Sequence, residues 1–220
     1  MTVDEIKRNI DTVTERVARA SARSGRAVTV VAATKTVPPE LISVAVDCGI
    51  ADIGENRVQE YLEKKDAVKR AKWHFIGTLQ RNKAKYLVGD VALIQSVNGI
   101  ELAREIDRLA RLRNVVQQVL IELNAAGEQS KTGAPVELAD ELIAQVGELK
   151  NVVVRGIMSV PPVDASDGVY KRLSALFEKH RGGVFDILSV GMSSDYERAI
   201  SFGSNMVRPG SAIFGPRTYR

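Results

Sequence analysis

The stretch VTVVAATKT, residues 28–36, is apolar from Val28 to Ala33 except at Thr29, and then ends in an amine, Lys35. A strand with one wet face alternates apolar and polar residues. A strand covered on both faces does not, and such strands belong to parallel sheets flanked by helices. Seven further β-rich runs follow, at 51–54, 73–77, 91–95, 115–121, 152–157, 185–190 and 205–207. Amphipathic segments lie between most of them. In residues 99–113, for example, Leu102, Ile106 and Leu109 share one helical face, and Asp107 and Arg111 lie a turn apart on the other. Before the first strand, Val3, Ile6, Ile10, Val13 and Val17 recur at spacings of three and four, which predicts a helix that stops at Gly25.

Eight strands alternating with helices predict an α/β fold, a closed (β/α)8 TIM barrel with an extra N-terminal helix. No Ser/Gly-rich linker divides the 220 residues, so one domain over 1–220 is expected. An open doubly wound sheet is the alternative, and the short run 205–207 is where closure would fail.

Composition narrows the function classes. The net charge is +4, with Lys and Arg interspersed among Asp and Glu rather than gathered in a stripe, so nucleic acid is not the expected partner. No run approaches the roughly 20 apolar residues of a membrane span. The charged start, MTVDEIKRNIDTVTERVARASARSG, has no apolar core of a secretory signal. The single cysteine, Cys48, permits no intrachain disulfide and is expected as a small core residue of a short helix. A cytoplasmic protein is the expectation, and with no long exposed apolar stripe, a monomer.

In a barrel, chemistry sits at the C-terminal strand ends. Val31, Ala33 and Lys35 share one face at period two, so if the first two point inward, Lys35 stands in the mouth. Two readings of such an amine are open. Desolvation favours the neutral amine, which attacks an aldehyde to form a Schiff base. Alternatively the side chain snorkels to solvent. Near the other end of the chain, GMSSD (191–195) follows the seventh strand, with Ser193 or Ser194 as a helix N-cap, and RPGSAIFG (208–215) follows the eighth. Loops at these two places form a recurrent phosphate site in barrels, although ordinary capping explains either loop alone. A ligand carrying both an aldehyde and a phosphate meets both features, and pyridoxal 5′-phosphate (PLP) is such a ligand. Arg208 could reach its ring nitrogen, and an arginine, which holds its proton, would weaken the ring as an electron sink.

The segments VAATKT (31–36), IGENRVQE (53–60), WHFIGTLQRNK (73–83), SKTG (130–133), RGIMSV (155–160), GMSSDYERAI (191–200) and VRPGSAIFG (207–215) together resemble the YggS/PROSC family, the pyridoxal phosphate homeostasis proteins. That family is in turn similar to the N-terminal barrel of alanine racemase. The resemblance implies a Schiff base on Lys35, phosphate ligands at Ser193, Gly210 and Ser211, a ring-nitrogen partner at Arg208, and Asn56 near the cofactor. Pro209 departs from a branched aliphatic residue and removes one N–H from the phosphate loop. Ser194 stands where some members are acidic. His74 is expected as a satisfied structural histidine and His180 as a surface helix end. Asn82, Lys83 and Lys131 could contact ligand or solvent.

Alanine racemase uses two bases, and the resemblance implies that the second is a tyrosine of a separate β domain. The sequence shows no segment for such a domain, and Tyr61, Tyr86, Tyr170, Tyr196 and Tyr219 sit in no motif that replaces it. General-base catalysis needs a group within reach of the proton. The expectation is therefore a carrier that buffers PLP or delivers it to PLP-dependent apoenzymes, with no catalytic residues. The alternatives are a PLP-dependent amino-acid racemase and a barrel that binds some other phosphate.

Overall fold

The computed structural model describes residues 1–127 and 132–216. The chain opens with α1, Val3–Ser24. Thr2 caps it: its hydroxyl accepts from Glu5 N–H at 3.2 Å, while the Glu5 carboxylate accepts from Thr2 N–H at 2.6 Å. Gly25, at φ 67°, ends the helix in the left-handed conformation that favours glycine. The face Ile6, Ile10, Val13, Val17 and Ala20 is buried, whereas Val3, expected on that face, is exposed in the first turn.

The strands are β1 Thr29–Val30, β2 Ala32–Ala33, β3 Asp52–Glu55, β4 Lys72–Phe75, β5 Leu93–Val97, β6 Gln117–Asn124, β7 Ala134–Pro135, β8 Val152–Ser159, β9 Ile187–Ser189 and β10 Met206–Val207. The helices after α1 are α2 Pro39–Asp47, α3 Val58–Lys64, α4 Ile100–Leu112, α5 Ala139–Gly147, α6 Asp167–His180, α7 Tyr196–Ser201 and α8 Ser211–Phe214, with a 3-10 turn at Arg81–Tyr86.

The sheet runs β1-β10-β9-β8-β6-β5-β4-β3-β2, all pairs parallel. Only Val31 separates β1 from β2, so the two ends of this order are one stretch of chain and the ring closes there. Val31 N–H donates to Val207 C=O at 2.9 Å and Ala33 N–H to Pro209 C=O at 3.0 Å, while Thr34 N–H turns to Gly54 C=O on the other neighbour at 2.9 Å. Counting 29–33 as one strand, all eight predicted runs contain or overlap a strand of the barrel. The run 205–207, where closure was in doubt, pairs with β9 on one side and β1 on the other. The short β7, which pairs with β6 beside the ring, was not expected.

Two cores result. The larger lies between strands and helices, where Ile53, Ile121 and Leu188 meet Ile42, Ile106 and Phe177. The smaller fills the barrel with Val31, Leu93, Leu120, Met158 and Met206. The alternation that points these five inward carries the same strands up to Ala33 and Lys35, Gln95, Glu122, and Arg208. Cys48 corrects an expectation: it is exposed at the C-terminal end of α2, one residue past the last helical position, and takes no part in the core. Among the described residues no helix is long and apolar enough to cross a membrane.

Candidate functional site

Lys35 leaves the end of β2 and lines a cavity of about 730 Å³ together with Ala33, Thr36, Leu41, Gly210 and Ser211. It is half-buried, and among the described residues its Nζ has neither a hydrogen-bond nor an ion-pair partner. The turn that presents it is held from below. Thr36 has φ 64°, uncommon for a β-branched residue, and its N–H donates to Glu60 at 2.7 Å. Lys64, buried at the end of α3, donates to Thr34 C=O (3.0 Å), Glu55 (2.7 Å) and Glu60 (2.9 Å). The Thr34 hydroxyl also donates to Glu55, at 2.7 Å. Burial raises the Glu55 pKa above the usual carboxylate range, against the pull of Lys64 and Thr34. At Glu60 burial pushes the same way, but Thr36 N–H and the Lys64 ammonium outweigh it and hold the pKa low.

Across the cavity, the loops after β9 and β10 are tied together by Ser193, whose Oγ accepts from Gly210 N–H at 3.0 Å and Ala212 N–H at 3.1 Å. Neither Ser193 nor Ser194 caps the next helix, contrary to expectation. Its N-cap is Asp195, whose carboxylate accepts from Met192 N–H at 2.7 Å and from the Tyr170 hydroxyl at 2.7 Å. Gly210 packs directly on β2: a Cβ there would lie 3.1 Å from Ala33 C=O. This contact brings the C-terminal loop beside Lys35.

Arg208 lies deeper and is 3% exposed. Its Nη1 donates to Ser189 Oγ at 2.5 Å and its Nη2 to Ser159 C=O at 2.9 Å. Burial pulls its pKa down to about 10, with Asp195 and Glu122 opposing, so it remains a cation at neutral pH. Asn56, just past β3, is half-buried on the same rim. Gly77 packs against it so closely that a Cβ would lie 2.1 Å from Asn56 C=O. Asn56 lines a second cavity, of about 400 Å³, with Arg57, Phe75, Thr78, Lys83 and Tyr86. The structure thus gathers Lys35, Gly210 and Ser211 in one cavity and ties Ser193 to its wall. Neither Asn56 nor Arg208 lines that cavity: Asn56 follows β3 and lines a separate one, and Arg208 is buried just past β10.

Among the other motif residues, Lys83 stands over the Tyr86 ring at 5.8 Å and lines the same cavity as Asn56, while Asn82 lines a surface groove with Glu101 and Arg104. His74 is buried with both ring nitrogens bonded, to Asp52 at 2.8 Å and to Gln95 at 3.0 Å, as a satisfied structural histidine should be. His180 ends α6 and meets Asp140 at 2.6 Å. Lys131 lies outside the described residues.

Sequence reasoning missed Lys64, Glu55 and Glu60, which hold the lysine turn, and Glu122 inside the barrel. Glu122 accepts from the Thr132 hydroxyl at 2.6 Å, its second oxygen has no hydrogen-bond partner among the described residues, and burial raises its pKa. An acid in the apolar run LIELN, two residues from inward Leu120, was the available signal.

A closed parallel barrel with a lysine at the end of its first strand and the last two loops beside it defines a class, and residues 2–218 match the family model of the alanine racemase N-terminal domain. The alanine racemase of Clostridium difficile 630 in complex with cycloserine shares the fold at TM-score 0.80 and 14% identity, over 98% of this chain and 60% of that one. Closer in sequence is the pyridoxal phosphate homeostasis protein of Aquifex aeolicus (strain VF5), 43% identical over 219 residues, 94% of this chain and 96% of that protein. PipY of Synechococcus elongatus PCC7942, solved with PLP bound, superposes at TM-score 0.82 and 26% identity, over 96% of this chain and all of that one. The chain belongs to the pyridoxal phosphate homeostasis protein family.

Proposed function

We propose that this chain binds PLP as a Schiff base on Lys35, and buffers it or delivers it to PLP-dependent apoenzymes with little or no turnover of its own. The observation that carries the proposal is the unpartnered Lys35 amine in one cavity with the Gly210–Ser211 backbone. The residues fit the cofactor's three handles. Lys35 Nζ can condense with an aldehyde, releasing water. Gly210 and Ser211, with the hydroxyls of Ser193 and Ser211, can face a phosphate, and the missing Gly210 side chain lets their loop approach Ala33. Arg208 offers a permanent donor to a ring nitrogen, and Asn56, at the rim, could contact the ring. PLP supplies an electrophilic carbon and an electron-withdrawing ring when bound. A guanidinium donor keeps the ring nitrogen unprotonated, which weakens that withdrawal.

Low turnover is supported by the tyrosines. Tyr61, Tyr170 and Tyr196 are buried between helices and sheet, each with its pKa raised chiefly by burial, Tyr61 to about 12. Tyr86 opens onto the neighbouring groove, not the Lys35 cavity. No described tyrosine is thus placed as a second base. The proposal includes action in the cytoplasm, as a monomer.

The test is reduction and mapping. The chain is incubated with PLP, treated with borohydride and digested, and the label is expected on the peptide containing Lys35. A label elsewhere, or none, overturns the assignment. Exchange of the α-proton of single-enantiomer amino acids into heavy water, no faster than with free PLP, is the expected result for a carrier. Rapid exchange would instead make the chain an enzyme.

A further inference from the structure

The barrel interior below Arg208 is not wholly apolar. Ser189, Gln95 and His74, each no more than 1% exposed, stack beneath it from three different strands, and Asp52 follows at the N-terminal end of β3. The contacts are Arg208 Nη1 to Ser189 Oγ (2.5 Å), Ser189 Oγ to Gln95 Oε1 (2.7 Å), Gln95 Nε2 to His74 Nδ1 (3.0 Å) and His74 Nε2 to Asp52 Oδ1 (2.8 Å). Asp52 also meets Lys72 at 3.1 Å, and both line a cavity of about 390 Å³ at the end of the barrel opposite Lys35.

With a neutral imidazole, one proton arrangement satisfies every link. An arginine only donates, so Ser189 Oγ accepts from it and spends its own proton on the Gln95 carbonyl. The Gln95 amide N–H then faces His74 Nδ1, which must carry no proton. The imidazole proton sits on Nε2, directed at the Asp52 carboxylate.

We propose that His74 is a positioning residue for Arg208, acting through Gln95 and Ser189 along this one-way chain of hydrogen bonds. The role of Arg208 toward a cofactor ring rests on the proposed function above; the chain itself does not. The Gln95 amide also meets Met206 Sδ at 3.3 Å, but a thioether is a weak acceptor, so His74 Nδ1 is what holds the amide in this orientation. Without it, the Gln95 amide can rotate and offer N–H to Ser189. Ser189 Oγ must then accept from both Gln95 and Arg208, and its own proton is left without the Gln95 carbonyl. The contact that anchors the guanidinium is weakened, and among the described residues its other hydrogen-bond partner is Ser159 C=O.

The test compares His74→Leu, which removes the acceptor, with His74→Asn, whose side-chain carbonyl stands where Nδ1 stood. In the ligand-free protein, nuclear magnetic resonance follows solvent exchange of the Arg208 guanidinium protons. His74→Leu should speed that exchange roughly fivefold, as expected for losing a bond worth about 1 kcal/mol. His74→Asn should stay near wild type. Gln95→Met, which cuts the chain one link higher while filling the same space, should reproduce the leucine result even if His74→Leu fails to fold. With PLP bound, the absorbance maximum should move in His74→Leu and Gln95→Met and be restored in His74→Asn. Unchanged Arg208 exchange in Gln95→Met, or His74→Asn behaving as His74→Leu does, overturns the proposal. A wild-type chain that takes up no PLP defeats the proposed function, while the ligand-free measurement still judges the chain of bonds.

Discussion

At the scale of single residues, Lys35 and Glu122 make opposite use of burial. Lys35 sits at the rim without a partner among the described residues, as a nucleophile that must meet an incoming carbonyl would. Lys35→Ala should abolish borohydride labelling. It should leave residual binding through the phosphate and ring contacts, weaker by roughly tenfold or more, as equilibrium dialysis would show. Glu122 is a carboxyl with a raised pKa and one oxygen that has no hydrogen-bond partner among the described residues. A folded-state pKa above the unfolded one contributes stability that is full below the ordinary carboxylate pKa and is lost as pH rises through the folded value. Glu122→Gln stays neutral throughout. It should match wild type in melting temperature at low pH and gain on it as pH rises above the ordinary carboxylate pKa, by the equivalent of about 1 kcal/mol. A difference independent of pH would show that Glu122 does not carry this charge cost.

At the scale of elements, the turn after β2 depends on a helix it does not adjoin in sequence. Lys64 ends α3 and reaches back under the turn to Thr34, Glu55 and Glu60. Removing one partner of a buried ion pair leaves a charge without compensation, at a cost of about 3–5 kcal/mol. Lys64→Met should therefore lower stability by about that amount in denaturant unfolding. It should also reduce the yield of label at Lys35, because Thr36 loses the fixed carboxylate that holds its left-handed conformation. Normal labelling in a destabilised Lys64→Met protein would separate stability from lysine presentation.

At the scale of the whole molecule, the ring is unevenly sewn. β6 and β8 pair over seven registered residues, whereas β1 pairs with β10 over two and β10 with β9 over one. Hydrogen exchange should be slowest along β6 and β8 and fastest at the seam between β1 and β10. A ligand joining Lys35 to the loops after β9 and β10 bridges that seam. Saturating PLP should slow exchange there more than elsewhere. At a hundredfold excess over the dissociation constant it adds about 2.7 kcal/mol, or a rise of roughly 5–10 °C in melting temperature. Equal protection across the barrel would argue against a ligand at the seam.

The sequence by itself determined the eight strands of the ring, their alternation with helices and the shared face of Val31, Ala33 and Lys35, because periodicity records which face of each element is buried. It also marked the loops after the last two strands, through local turn chemistry. It misplaced the helix start after β9, since Ser193 is drawn off by Gly210 and Ala212, and it put exposed Cys48 in the core. Only the tertiary structure decided that Lys64 holds the lysine turn and that Gln95 meets Ser189, 94 residues away. Such partners lie on separate strands and helices, and pairing them requires the ring to close, which no local pattern of residues encodes.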